Sequence, residues 1–281
     1  MKLRAVATLR AVAARDRERV LALANRETSW RCGLGPSPVD DVRASFETGA
    51  AGAARLLESK GAVLGFARVA AITPGTCYVS AIASTRSAFV ALVDWACAHP
   101  SAATTLRTSV AMTAAAKDLL ARHGFTPYLV QRTMALDREV SVSPALPATC
   151  RYADFEARWL KPLLATYVAA WPADEVDLVE AERSFRESDG LVLAMDGERV
   201  AGYALWERVG SGVGLVNEVA VHPSYRRRGV GSALTGFAID RLRPLASRIE
   251  LLVVGPNPAR LMYERLGFEV VEEVEFLTRV P

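Results

Sequence analysis

Val219-Ala220-Val221-His222-Pro223-Ser224-Tyr225-Arg226-Arg227-Arg228-Gly229-Val230-Gly231-Ser232 is the stretch from which the fold can be read. A strand-like run ends at a His-Pro break. A basic turn follows, with two glycines spaced by one residue. Ser232-Ala233-Leu234-Thr235-Gly236-Phe237-Ala238-Ile239 then reads as helix. Strand, glycine-bearing turn and helix N-terminus together suit a phosphate. The first amides of a helix lack intrahelical partners, and the dipole favours negative charge there. Gly229 and Gly231 let a ligand approach the backbone where a Cβ would obstruct it. The three arginines could otherwise be a solvated turn or a nucleic-acid patch, and the adjacent glycines favour phosphate.

Two further segments carry the reading outward. Asn217-Glu218-Val219-Ala220-Val221 leads into the break, and downstream stands Asn257-Pro258-Ala259-Arg260-Leu261-Met262-Tyr263-Glu264-Arg265-Leu266-Gly267-Phe268. With Arg226-x-x-Gly229-x-Gly231, these segments resemble the GNAT N-acetyltransferase superfamily: its fourth strand, its R-x-x-G-x-G pyrophosphate loop, and its later Asn, Ala, Tyr and Gly-Phe pattern. The third glycine of a dinucleotide-binding fingerprint is missing, and no Gly-Lys-Ser/Thr of a Walker loop follows.

The 281 residues suffice for two domains, and half are apolar. A net charge of +3 gives no reason to expect nucleic acid. Cys32, Cys77, Cys97 and Cys150 are scattered, as are His99, His123 and His222. Neither a disulfide framework nor a metal site is expected, and the cysteine usage fits a reducing, cytoplasmic setting. Charges at Arg10, Arg15, Asp16 and Arg17 interrupt any signal peptide or membrane span near the start.

The chain reads as two distant copies of one unit, residues 1–137 and 148–281, joined by a proline-bearing linker at 138–147. Val63-Leu64-Gly65-Phe66-Ala67 parallels Val200-Ala201-Gly202-Tyr203-Ala204, and His123-Gly124-Phe125 parallels Leu266-Gly267-Phe268. The first copy is about six residues shorter between these landmarks. Its strand near 79–83 runs almost directly into a helix with no glycine loop, and Leu120 stands where the second copy has Tyr263. The chain thus resembles tandem GNAT proteins with a degenerate N-terminal half. That implies an α/β (α+β) fold of two GNAT-like domains, each a mixed, mostly antiparallel sheet flanked by helices. In the second copy the pattern predicts a strand at 148–153, then a helix at 155–170 with Asp154 as N-cap and another at 175–187. Strands follow at 190–195 and 199–207 around Asp196-Gly197, and at 214–221. A helix at 230–242, a strand at 248–254, a helix at 258–266 and strands within 268–280 complete it.

The resemblance implies direct transfer of an acetyl group from acetyl-CoA, or another acyl-CoA, to a primary amine in a ternary complex, without metal. The pyrophosphate would lie on the loop of Arg226, Arg227, Arg228, Gly229, Val230, Gly231 and Ser232. The pantetheine arm would run beside Val219, Ala220 and Val221 like an added strand. Glu218 is the candidate general base and Tyr263 the proton donor to the leaving thiolate, with a main-chain N–H near Val219 polarising the thioester. Asn257 and Arg260 are candidate cofactor contacts, though an Asn before Pro can equally organise a turn. Trp159, Tyr167 and Trp171, with Asp174, Glu175, Asp177, Glu180 and Glu182, would suit a small cationic amine acceptor; an amphipathic helix with a solvated acidic face reads as well. A mycothiol-synthase-like enzyme is a narrower alternative. A non-catalytic acyl-CoA-binding regulatory protein is the rival from another class. No nucleic-acid or membrane partner is expected.

Overall fold

The computed structural model describes residues 7–26, 28, 30–34, 38–47, 52–99, 104–111, 115–137, 144–171, 176–209 and 212–281. They fall into two compact units, Met1–Gln131 with Glu273–Pro281, and Arg132–Glu272. Of the expected linker, 138–143 lies outside the described residues. Pro144 packs against Gly236, and Leu146 joins the core of the second unit.

Unit 1 contains β1 (Thr8–Ala11), α1 (Arg17–Ala24), β2 (Arg31–Cys32), α2 (Pro38–Glu47), β3 (Gly52–Ser59) and β4 (Ala62–Thr73). There follow β5 (Thr76–Ala83), α3 (Arg86–Ala98), β6 (Thr105–Ala111), α4 (Ala116–Arg122) and the start of β7 (Thr126–Asp137). β1, β3, β4 and β5 are antiparallel neighbours, and β6 runs parallel to β5. Side chains alternate across the sheet. Phe66 and Ile82 enter a core with Val20 and Leu23 of α1 and Val42 of α2, whereas Ala67, Val79 and Ala81 enter another with Phe89 and Leu92 of α3.

Unit 2 contains the end of β7, then β8 (Arg151–Asp154), α5 (Leu160–Ala170), α6 (Leu178–Glu187), β9 (Gly190–Asp196), β10 (Arg199–Val209), β11 (Val213–Val221), α7 (Val230–Leu242), β12 (Arg248–Val254), α8 (Ala259–Arg265) and the start of β13 (Glu269–Arg279). β8, β9, β10 and β11 are antiparallel, and β12 is parallel to β11. Leu163, Phe185 and Tyr203 lie in the core under α5 and α6, and Val216, Leu234 and Tyr263 in the core under α7 and α8. Both units are therefore mixed, mostly antiparallel sheets covered on both faces.

The units are not contiguous in sequence. β13 crosses out of unit 2, and its outer residues, Val274 to Arg279, pair antiparallel with β6 in unit 1. The end of β7 serves unit 2 beside β12, with Met134 and Leu136 fully buried in that core.

The paired landmarks do the same work in each unit. A Cβ on Gly65 would lie 2.6 Å from Leu92 of α3 and 3.1 Å from the Ile82 carbonyl. On Gly202 it would lie 3.0 Å from Leu234 of α7 and 2.7 Å from the Ala220 carbonyl. Each glycine thus lets the helix after the splitting strand pack down on the sheet. Gly124 and Gly267 end α4 and α8 with φ of 82° and 92°. The same pair of bonds closes both helices: Phe125 N to Leu120 O and Gly124 N to Ala121 O in one, Phe268 N to Tyr263 O and Gly267 N to Glu264 O in the other.

Two boundaries differ from expectation. Asp154 ends β8 instead of capping a helix. Residues 157–159 form a 3-10 turn, and α5 begins only at Leu160, without a side-chain cap. The expected terminal strands are one strand, β13, long enough to serve both units.

Candidate active site

The parallel pairing of β11 with β12 runs from Val213↔Arg248 to Val216↔Leu251 and then stops. β11 continues to Val221, still paired with β10. At the same point β11 carries a bulge: Leu205 faces Glu218 and Trp206 faces Val216, leaving Asn217 extra. A bulge bends its strand, and here the bend falls where β11 parts from β12. Beyond it no strand pairs with that edge of β11 among the described residues.

Register decides which groups face the opening. His222 N–H bonds the Ala201 carbonyl on the β10 side. Alternation turns the main chain of Ala220 toward β10 as well, and that of Val219 and Val221 toward the gap. Of the three strand residues expected beside the cofactor, two offer main-chain groups there. Ala220 instead buries its side chain under α5 and α6.

The basic loop rises from the end of this strand. Gly229 is the N-cap of α7 with φ of 86°, which L side chains rarely adopt, and no side chain caps the helix. Arg227 also has positive φ, 61°. Val230 is buried and anchors the helix start, and Ser232 is half-buried in its first turn. A Cβ on Gly231 would rest 3.4 Å from Met262 Sδ and 3.5 Å from Val221 Cγ2. That space alone does not demand glycine.

The arginines divide their tasks. Arg226 donates from Nε to the Val221 carbonyl at 3.1 Å and from Nη2 to the Ala170 carbonyl at 2.9 Å, tying the end of β11 to the end of α5. Arg228 stacks over the ring of Tyr225, whose hydroxyl donates to Asp196. Arg227 and Arg228 are exposed. His222, assigned no chemistry, accepts from Ser224 N–H and caps the short turn before the loop.

Glu218 shares a face of β11 with Ala220, toward α5 and α6. Its Oε1 accepts from the Tyr203 hydroxyl and, at 3.3 Å, from Trp171 Nε1. Burial raises its pKa, while the two donors oppose that rise. A carboxyl raised above the usual range and still ionisable has the character of a general base. Tyr203 is fully buried and its hydroxyl is held protonated by that burial and by the adjacent carboxylate.

Tyr263 lies on α8, 9% exposed, with its ring edge-on to Phe268. Burial pushes its phenol up to about 12, and the hydroxyl makes no hydrogen bond among the described residues. It is a protonated donor with its proton uncommitted. Asn257 Oδ1 accepts from Ala259 N–H at 2.9 Å, so this residue organises the start of α8. Arg260 pairs with Glu264 along the exposed face of that helix.

On the acceptor side, Asp174 and Glu175 lie outside the described residues. Asp177 caps α6, accepting from Val179 and Glu180 N–H. Glu180 and Glu182 pair with Arg183 and Arg186 on the exposed face of α6. Tyr167 packs edge-on to Phe185, and Phe185 to Tyr203. Among the described residues the aromatic cluster thus belongs to the wall beside Glu218, and Glu180 and Glu182 do not. The grip of Tyr203 on Glu218 was not foreseen from sequence, where Tyr203 read only as a repeat landmark. Strand register alone puts Tyr203 within reach.

Residues 157–268 match the acetyltransferase (GNAT) family. Unit 2 is a GNAT domain. The mycothiol acetyltransferase of Actinosynnema mirum is 39% identical over 102 residues, which cover 35% of this chain and 34% of that protein. The match thus spans about a third of that relative's length. A GCN5-related N-acetyltransferase from Sphaerobacter thermophilus superposes over 98% of this chain and 95% of its own, with a TM-score of 0.74 and 18% identity. A tandem GNAT protein from the clavulanic acid biosynthesis pathway covers 98% of both chains, with a TM-score of 0.67 and 19% identity. At those identities the likeness is one of fold, and it extends the GNAT fold to both units. Among the described residues no helix is long and apolar enough to cross a membrane, and no cluster of His, Cys, Asp and Glu could hold a metal.

Proposed function

We propose that this protein is an N-acetyltransferase that moves an acetyl group from acetyl-CoA to the amine of a small molecule, and that unit 2 performs the reaction. One observation carries the reading: the unpaired edge of β11 leads straight to the uncapped N-terminus of α7. An extended amide-bearing arm can add to that edge as a strand would, and a pyrophosphate can accept from the first amides of the helix. Residues fit the remaining needs. Glu218, directly or through water, takes a proton from the acceptor's ammonium. The Val219 N–H, facing the gap, polarises the thioester carbonyl as negative charge develops on its oxygen. Tyr263 returns a proton to the thiolate as the carbon–sulfur bond breaks. The acyl group passes directly to the amine, and no cysteine stands in the motif to carry it.

The name of the Actinosynnema mirum relative makes a mycothiol-type amino sugar the first acceptor to try. The aromatic wall of Trp171, Tyr167 and Phe185 would suit a sugar face or a cation. The test is coenzyme A release from acetyl-CoA over a panel of amines, run beside Tyr263→Phe. Turnover with at least one amine is expected, with kcat lower in the variant by about 10²-fold and acetyl-CoA affinity little changed. Binding of acetyl-CoA without release for any amine would instead support a non-catalytic acyl-CoA-binding protein. Normal turnover by Tyr263→Phe would leave water or another group to protonate the thiolate.

A further inference from the structure

Two hydrogen-bond donors converge on a single oxygen of Glu218. The Tyr203 hydroxyl and Trp171 Nε1 both donate to Oε1, and Oε2 has no partner among the described residues. An oxygen held by two donors fixes the plane of the carboxylate, and the other oxygen is left to receive a proton. Tyr203 has no freedom to swing, being fully buried on β10 with its ring 5.2 Å from Phe185 of α6. Trp171 has more, since it is the C-cap residue of α5, where the helix ends. What restrains that helix end is Arg226. Its guanidinium bonds the carbonyl of Ala170, the residue before Trp171, and also the carbonyl of Val221, three residues beyond Glu218 on the same strand.

From this arrangement we infer that Tyr203 and Trp171 are positioning residues that aim Oε2 of Glu218 at the acceptor, and that Arg226 is the strut holding Trp171 in register with it. This rests on the reading of unit 2 as an acetyltransferase. It reassigns the Arg226 side chain from a pyrophosphate contact to a link between the loop and the wall of the acceptor site. The groups that meet the carboxyl are the phenol of Tyr203 from β10 and the indole of Trp171 at the end of α5. Neither is charged at neutral pH. Tyr167, Ala181 and Phe185 share the core in which Tyr203 is buried. The charged side chains of α6 pair with one another on its exposed face. The two donors therefore oppose the effect of burial on this carboxylate, and each favours the ionised form.

Removing either donor should make Glu218 harder to ionise. The acid limb of the kcat/KM profile should move to higher pH in Tyr203→Phe and in Trp171→Phe, with about a tenfold fall at neutral pH, the usual weight of a hydrogen bond to a charged group. Arg226→Lys keeps the charge but cannot bridge two carbonyls in the same geometry. It should shift the limb as Trp171→Phe does and leave the acetyl-CoA Kd within about twofold. An unmoved limb in both aromatic variants, with only a lower Tm, would reduce both to packing. A large loss of acetyl-CoA affinity in Arg226→Lys with an unmoved limb would return its side chain to the pyrophosphate. If the wild type acetylates no amine, the acetyltransferase reading itself fails. The positioning claim is then read separately, by NMR titration of the 13C-labelled Glu218 carboxyl. An unshifted carboxyl in Tyr203→Phe and Trp171→Phe overturns it.

Discussion

Both units split their sheet at the same place, and among the described residues only one leaves the split open. In unit 2 the pairing of β11 with β12 ends at Val216, and the main chain of Val219 and Val221 faces a gap. In unit 1 the pairing of β5 with β6 ends at Tyr78↔Arg107, and the gap is filled by the protein's own chain. β2 adds antiparallel to β5 there, Arg31 against Ile82 and Cys32 against Ala81. Ala83 N–H bonds the Trp30 carbonyl, and Gly33 N–H reaches across to the Ser109 carbonyl on β6 at 2.7 Å. Gly33 fits because it has no Cβ: one would lie 2.0 Å from the Val79 carbonyl, at a φ of 63°. Cys32 is buried in the plug, and burial pushes its thiol up to about 11, well into the protonated, unreactive range.

Aligning the units on Gly65↔Ala83 and Gly202↔Val221 sharpens the contrast. Ser80 then stands where unit 2 has Glu218, and its hydroxyl donates to the Gly33 carbonyl at 2.7 Å, binding the plug. The bulge residue Asn217 has no counterpart. Where α7 starts uncapped behind Gly229, α3 starts with the Thr85 hydroxyl accepting from Ala88 N–H at 3.2 Å. The open strand edge, the carboxylate of Glu218 and the bare helix start of unit 2 are each met in unit 1 by an intrachain substitute. A polar edge and a helix start left without partners are costly in a fold, and unit 1 satisfies both from its own chain.

The comparison predicts its largest effect at the position where a glutamate faces a serine. Glu218→Gln should lower kcat/KM by roughly 10²- to 10⁴-fold, the range for loss of a general base. Stability should move the other way. Burial raises the folded pKa of Glu218 above its unfolded value. Between the two values the folded state holds a proton that the unfolded chain has lost, so stability falls as pH rises through that window. The glutamine variant removes the penalty. Its Tm should exceed that of the wild type at pH 7 and converge with it near about pH 4. Full activity in Glu218→Gln would remove the functional difference between the two splits at this residue.

A smaller effect follows from the loop. Gly231→Glu sets a carboxylate at the first turn of α7, where the pyrophosphate is proposed to lie. Like charges brought together cost several kcal/mol, so acetyl-CoA affinity should drop on the order of 10²-fold by calorimetry. Wild-type protein should bind one acetyl-CoA per chain. Two would mean that the plug of unit 1 yields to the ligand.

Much of this contrast could be read in the sequence, because it is written in local spacing. The Gly229-x-Gly231 loop, its absence near Ser84, and Leu120 opposite Tyr263 all lie within short windows. The GNAT-like fold of both units and the start and end of α7 were legible for the same reason. The plug was not. Arg31-Cys32 is a two-residue strand with no periodicity of its own, and it is defined only by partners about fifty residues away. The exchange of β7 and β13 between units was hidden likewise, since a long strand carries no mark of the sheet it joins. At the candidate site Glu218 and Tyr263 are proposed from their motifs. The Tyr203 and Trp171 donors come from strand register and a helix end, which spacing along the chain does not encode.

The smallest effect belongs to the cap of α3, and it isolates stability from function. Thr85 is in extended conformation with its Oγ1 accepting from Ala88 N–H, an ordinary N-cap. Thr85→Ala leaves that amide without its partner and should cost about 1 kcal/mol in denaturant unfolding. The transition of unit 1 should shift while that of unit 2 keeps its midpoint, provided the two unfold separately. Acetyl-CoA affinity should not change. The variant makes the start of α3 as bare as that of α7, but the plug still fills the split beside it and no glycine loop precedes it. A gain of acetyl-CoA binding in Thr85→Ala would mean that the cap, and not the plug, keeps unit 1 closed to the ligand. Unchanged binding with the expected loss of stability assigns the closure to β2 and Gly33.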